Sequence, residues 1–253
     1  MKISLFQYNP VWENKELNKK RIDELLRCKF SKSDLIIFPE MSLTGFSMRT
    51  KELAESLSGD SFRFFSRIAQ NFQTQVLAGL IEKDVEHFYN TLVHIDESGG
   101  LVTSYRKIHP FSFAGEDKFY QRGVAHKITT VKDFKIGLSI CYDLRFPELF
   151  RFYAKERVHL IIVIANWPVT RIEHWNTLLK ARAIENQCFV AGVNRVGTDP
   201  LAKYNGYSSL YDPLGNEILL NPHLESIIEA EISIKQVLDT RAKFPFLNDI
   251  HLI

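Results

Sequence analysis

The chain contains three cysteines, and Cys141 has the surroundings of a nucleophile. It follows an apolar run over 136–140 and precedes Pro147, a residue type that opens helices at their first position. A thiol on a tight turn between strand and helix meets oriented backbone N–H groups, which lower its pKa and can hold an oxyanion. Two further groups share its topological setting. Glu40 lies just past the run 35–38, and Lys107 just past 101–105. Strand carboxyl ends are where ligand sites gather in open α/β sheets. A thiol, a carboxylate and an ammonium together supply what amide hydrolysis requires: a nucleophile, a group to accept and return its proton, and a cation at the carbonyl oxygen. Glutamate in water is a poor base, with a pKa of about 4.3, so confinement beside the thiol must tune the set.

Histidine is the more familiar partner of a catalytic cysteine. Of the eight histidines, only His109 adjoins one of these strand ends, so a carboxylate base is the better supported reading. No local His/Cys spacing matches a metal motif, and neither metal nor cofactor is expected. Cys28, late in an amphipathic stretch, and Cys188, at the start of an apolar run, read as core thiols.

These groups need elements to carry them. Apolar runs over 3–8, 35–38, 76–81, 136–140, 160–165 and 189–193 are continuous rather than alternating, the pattern of strands covered on both faces. Helical spacing follows Asn14 and Ser61, Pro147 opens a third helix, and Thr170 with Glu173 is expected to cap a fourth. The order is βαβαβ, twice, each time followed by a hairpin pair turning at 97–100 and at 212–215. An internal repeat over roughly 1–105 and 134–234 follows, each half a mostly parallel sheet with helices on one face. Strands buried on both faces then require the sheets to pack together, giving an α/β fold of four layers, α-β-β-α, with an internal pseudo-twofold. The reading is a single domain over 1–253. Its tail, from about 235, carries the aromatics of Lys243-Phe244-Pro245-Phe246 and is expected to dock on a partner subunit.

Composition agrees with a globule and removes other classes. The 253 residues are 45% hydrophobic and 25% charged, with a net charge of +2, which excludes disordered, collagenous and coiled-coil chains. Lys19-Lys20-Arg21 reads as a solvated helix face, so nucleic acid is not an expected partner. The longest apolar stretch, 160–165, is far short of a membrane span, no signal peptide is recognisable, and a cytoplasmic location with no membrane partner is expected. An odd cysteine count argues against a disulfide framework.

Phe38-Pro39-Glu40, Tyr105-Arg106-Lys107-Ile108-His109 and Cys141-Tyr142-Asp143-Leu144-Arg145-Phe146-Pro147-Glu148 resemble, in order and placement, the Glu, Lys and Cys motifs of the nitrilase superfamily of carbon–nitrogen hydrolases. Matching elements run through almost the whole chain. The resemblance implies an α-β-β-α sandwich, attack of cysteine on an amide or nitrile carbon, and a homodimer. Glu116 matches the second glutamate with which that family positions lysine and substrate, and the loop 112–123 around it would suit a lid. True nitrilases typically follow the cysteine with Trp-Glu. Cys141-Tyr142-Asp143-Leu144-Arg145 looks instead like the amidase branches, and Ala165-Asn166-Trp167-Pro168 and Asn194-Arg195-Val196-Gly197 are similar to the ω-amidase type.

Such enzymes hydrolyse the terminal amide of dicarboxylic acid monoamides such as 2-oxoglutaramate and 2-oxosuccinamate. A distal carboxylate wants arginine, and Arg145 is the candidate, with an ion pair to Glu148 as its structural alternative. Phe46, Phe111 and Trp167 are expected as apolar walls, the backbone N–H of Tyr142 as an oxyanion donor, and Asn166 and Glu185 as buttresses. Two other readings stay open: an amidase of the same superfamily acting on N-carbamoyl compounds or another small amide such as deaminated glutathione, and a non-catalytic thiol scaffold.

Overall fold

The computed structural model describes residues 1–251. The first half contains strands β1 (Lys2–Gln7), β2 (Leu35–Ile37), β3 (Gln75–Asp84), β4 (His87–Ile95) and β5 (Leu101–Arg106), with helices α1 (Lys15–Lys29), α2 (Thr50–Leu53) and α3 (Asp60–Phe72). The second contains β6 (Ile128–Val131), β7 (Phe134–Ile140), β8 (Leu160–Ile164), β9 (Phe189–Val193), β10 (Val196–Thr198), β11 (Lys203–Tyr211), β12 (Glu217–Pro222) and β13 (Ser226–Glu231). Its helices are α4 (Pro147–Lys155), α5 (Ile172–Asn186) and α6 (Ile234–Lys243).

Two sheets result, ordered β13-β1-β2-β3-β4-β5 and β10-β11-β9-β8-β7-β6, with β12 paired to β11. Only β1–β2–β3 and β7–β8–β9 run parallel. The expectation of mostly parallel sheets is therefore corrected to mixed ones. The hairpins pair antiparallel onto the parallel strands, β4 on β3 and β11 on β9. β6 pairs antiparallel with β7, and β13 with β1. The second half thus completes the sheet of the first through β13.

Alternating side chains divide between two kinds of core, because successive strand residues point to opposite faces. Ile3, Leu5, Leu35, Ile37 and Leu77 join β7, β8 and β9 in the space between the sheets. Phe6, Ile36, Val76 and Ala78 pack instead on Ile22 and Leu26 of α1 and Phe65 and Ile68 of α3. Every residue of β8 is buried, which explains an unbroken Leu-Ile-Ile-Val-Ile.

Local signals held unevenly. Asn14 caps α1, its side chain accepting from the Leu17 N–H. Thr170 and Glu173 form no capping box. Val169–Arg171 is a 3₁₀ turn, and α5 starts at Ile172 behind Arg171, without a side-chain cap. Cys28 is exposed rather than in the core, because the buried stripe of α1 runs through Ile22 and Leu26. Lys19 is buried rather than solvated, since it pairs with Asp60 at the start of α3 as well as with Glu16.

The C-terminal tail packs on its own chain. Val237 of α6 is buried, Arg241 donates to the carbonyls of Gln187 and Val158, and Gln187 donates to the Phe244 carbonyl. Leu238 and Phe246 stay exposed. Among the described residues, no helix is long and apolar enough to cross a membrane.

Candidate active site

Glu40, Lys107, Glu116 and Cys141 come together where β2, β5 and β7 end. Lys107 is fully buried and donates to Glu40 Oε1 at 2.9 Å and to Glu116 Oε2 at 2.9 Å. Asn90 on β4 completes the group: its buried amide nitrogen donates to Glu40 Oε1 at 2.6 Å and to Glu116 Oε1 at 2.9 Å. The other oxygen of Glu40 accepts from the Asn166 backbone N–H at 2.8 Å, and the Asn166 side chain donates to the Glu40 carbonyl at 2.8 Å. Both carboxylates are thereby fixed in position by buried protein donors.

Backbone shape brings these groups within reach. Cys141 has φ +47°, and Met41, directly after Glu40, has φ +44°. Left-handed conformations cost non-glycine residues about 1–2 kcal/mol and persist where surrounding structure over-determines them, commonly at functional sites. Gly79 allows the Glu40 turn to lie on β3: a Cβ there would stand 2.5 Å from the Met41 nitrogen and 2.7 Å from the Glu40 Cα.

Buried charges set the proton states. Opposing Glu116 and Glu40 hold the Lys107 ammonium well above the ordinary lysine pKa, outweighing the burial that opposes it. Burial raises the Glu116 carboxyl, against the pull of Lys107. Cys141 departs from expectation. The turn does not lower its pKa; burial, reinforced by the Glu40 charge, pushes the thiol well above its usual value, and the Asn166 N–H and Lys107 offset only part. The resting nucleophile is a neutral thiol beside a carboxylate.

A pocket of about 400 Å³ opens onto Cys141. Phe46, Phe111, Tyr142 and Trp167 wall it, and Arg145, Arg171 and Lys203 bring positive charge. Arg145 does not pair with Glu148. Its guanidinium lies 4.9 Å from the Trp167 ring centre and donates to His174 Nδ1 at 3.2 Å, and no carboxylate approaches within 4 Å among the described residues.

This arrangement can attack, protonate and stabilise at one carbonyl group. The carbon-nitrogen hydrolase family model matches residues 2–242. The chain belongs to the carbon-nitrogen hydrolase family. A 2-oxoglutaramate amidase of Bacillus subtilis is 30% identical over 98% of this chain and 96% of its own length. The omega-amidase YafV of Escherichia coli is 35% identical over 98% and 96%. The crystal structure of XC1258 from Xanthomonas campestris, a CN-hydrolase superfamily protein with an arsenic adduct in its active site, superposes with a TM-score of 0.95 at 33% identity, over 100% of this chain and 98% of that one. This hydrolase is an amidase of the nitrilase superfamily.

Around the buried group, the hydrolase places the remaining sequence candidates at different ranks. Phe46, Phe111, Tyr142, Arg145, Asn166 and Trp167 all border the pocket. Glu185 lies one step behind: it accepts from Arg182, which donates to the Leu144 carbonyl in the turn after Cys141. His109 does not serve the cysteine; its Nδ1 lies 2.8 Å from Asp143. The loop 112–123 is less free than a lid, because Glu116 and Tyr120 anchor it, the latter donating to the Ser47 carbonyl at 2.5 Å. Sequence reasoning missed Asn90 and Gly79. Asn90 left one legible signal, a lone amide in a strand whose following residues, 91–95, are all buried.

Proposed function

We propose that this amidase hydrolyses the terminal amide of small carboxylated amides, of which 2-oxoglutaramate and 2-oxosuccinamate are representative, releasing ammonia through a thioester on Cys141. The single observation that carries the reading is Arg145: a guanidinium that, among the described residues, has no carboxylate partner, in an aromatic pocket that opens on the thiol. A substrate carboxylate supplies what it lacks, by a bidentate pairing that favours arginine. The relatives named for 2-oxoglutaramate point the same way.

Chemistry follows from the proton states. Because burial keeps Cys141 neutral, its proton passes to Glu40 as the sulfur attacks the amide carbon. Lys107, held by Glu116, and the Tyr142 backbone N–H stabilise the oxyanion. Glu40 returns the proton to the leaving nitrogen and ammonia departs. Glu40 then activates water against the thioester, which yields the acid and restores the thiol. Removing one oxyanion donor typically costs about 2.7–4 kcal/mol, so Lys107→Gln should lose about 100- to 1,000-fold in kcat. The exposed Leu238, Phe246, Phe152 and Ile184 support a homodimer joined through the helical layer, which sedimentation would test.

Ammonia release across a substrate panel tests the assignment. 2-Oxoglutaramate should be turned over fast, with nitriles, N-carbamoyl amino acids and deaminated glutathione slow; the reverse order rejects the substrate class.

A further inference from the structure

Asp143 is fully buried two residues past Cys141, and its carboxylate binds four donors from two separate segments, the end of β5 with the loop after it and the end of β7. Oδ2 accepts from the Tyr105 hydroxyl at 2.7 Å and from the Ile140 N–H at 3.0 Å. Oδ1 accepts from the His109 N–H at 3.0 Å and from His109 Nδ1 at 2.8 Å. Tyr105 and His109 stand two residues either side of Lys107, whereas Ile140 and Asp143 bracket Cys141. One carboxylate therefore ties the lysine loop to the cysteine turn.

We propose that Asp143 is a positioning residue for the amidase reaction, setting the separation of Lys107 and Cys141 by clamping their two loops together. This rests on the reading of Cys141 and Lys107 above. Three observations carry it. First, the clamp uses the full accepting capacity of the carboxylate, with two donors on each oxygen. Second, it spans the residue with φ +47°, a conformation that needs external restraint. The Ile140 N–H, directly before Cys141, is held by Asp143 rather than by the sheet alone. Third, the donors are themselves fixed: Tyr105 is buried, and the His109 ring stacks on Phe146 at 3.8 Å between centroids, 8° from parallel.

The histidine's role follows from hydrogen-bond chemistry. A carboxylate only accepts, so Nδ1 carries the proton. A His–Asp pair beside a cysteine has the form of a nucleophile-activating dyad, yet this one braces the backbone and leaves proton transfer to Glu40. Clamping also explains why the site tolerates a strained turn: reacting groups must be held close to the productive geometry, where errors of about 1 Å cost on the order of 100-fold in rate.

Asp143→Asn keeps the shape but turns one accepting oxygen into a donor facing donors. We expect kcat for 2-oxoglutaramate, measured per thiol titrated at position 141, to fall at least tenfold with KM changed less than twofold. The alkylation rate of Cys141 by iodoacetamide should fall with it, because the sulfur leaves Glu40. Tyr105→Phe and His109→Phe each remove one side-chain donor, the second keeping an aromatic ring against Phe146; they should give smaller losses of the same kind, and these decide the matter if Asp143→Asn does not fold. Wild-type kcat per titrated thiol in the folded variants, or losses confined to KM, overturns the clamp. Cys141→Ala separates the two readings. If it remains active, the thiol mechanism itself fails; if it is dead while the clamp variants match wild type, only the positioning role does.

Discussion

Glu40 and Lys107, 67 residues apart in sequence, meet in a 2.9 Å ion pair whose side chains are 0% and 1% exposed. Isolated buried pairs are costly because both ions lose water. Here each ion has further partners: Asn90 and the Asn166 N–H on Glu40, and Glu116 on Lys107. The result is a buried polar cluster beside a neutral thiol, in which both carboxylates and the ammonium are bonded while Asn90 Oδ1 and Asn166 Oδ1 have no partner among the described residues.

Glu40→Gln should leave substrate binding near normal and cut turnover by about 100- to 10,000-fold, the range general acid–base catalysis supplies. Steady-state ammonia release with a separate binding measurement checks this, and near-normal kcat removes Glu40 as the base.

Gly79→Ala tests the backbone beneath that carboxylate. The added methyl would meet the Met41 nitrogen at 2.5 Å and the Glu40 Cα at 2.7 Å, main-chain atoms that cannot rotate aside. A displacement of about 1 Å at Glu40 should lower kcat on the order of 100-fold, with a lower thermal midpoint. An unchanged kcat would show that the turn relaxes without moving its side chain.

Arg145→Ala should reduce kcat/KM for 2-oxoglutaramate by about 10- to 150-fold, the equivalent of a charge-assisted hydrogen bond worth about 1.5–3 kcal/mol. A neutral amide of similar length should lose little. Equal losses on both substrates would mean that Arg145 shapes the pocket instead of recognising a carboxylate.

His94 should make stability depend on pH. It bridges the sheets, its Nε2–H donating to Gln75 at 2.8 Å while the Thr129 hydroxyl on β6 donates to Nδ1 at 2.6 Å. Burial lowers its pKa to about 4, against about 6.5 in the unfolded chain. Between those values the unfolded chain binds more protons, so stability falls as pH drops from about 6.5 to about 4, by about 3 kcal/mol in all. Urea unfolding at several pH values measures the slope, and His94→Gln should flatten it; an unaltered slope assigns the dependence elsewhere.

Much of the fold was legible because continuous apolar strands and amphipathic helices are short-range patterns. The runs at 136–140 and 160–165 gave β7 and β8. Strand exchange was not legible, since β13 looks like any short strand, and only packing shows that it crosses to the sheet of the other half. The burial of Lys19 escaped for a similar reason: its partner Asp60 lies 41 residues away.

From the sequence alone, residue types and their placement marked a thiol, a carboxylate and an ammonium as one candidate set, because each stands just past the carboxyl end of a strand. Tertiary structure alone decided the proton states and the supporting shell. The charge on Cys141, the bonds of Asn90 and the four donors on Asp143 depend on burial and on distances of a few ångströms between distant segments. Such quantities arise only when the two sheets close and exclude water.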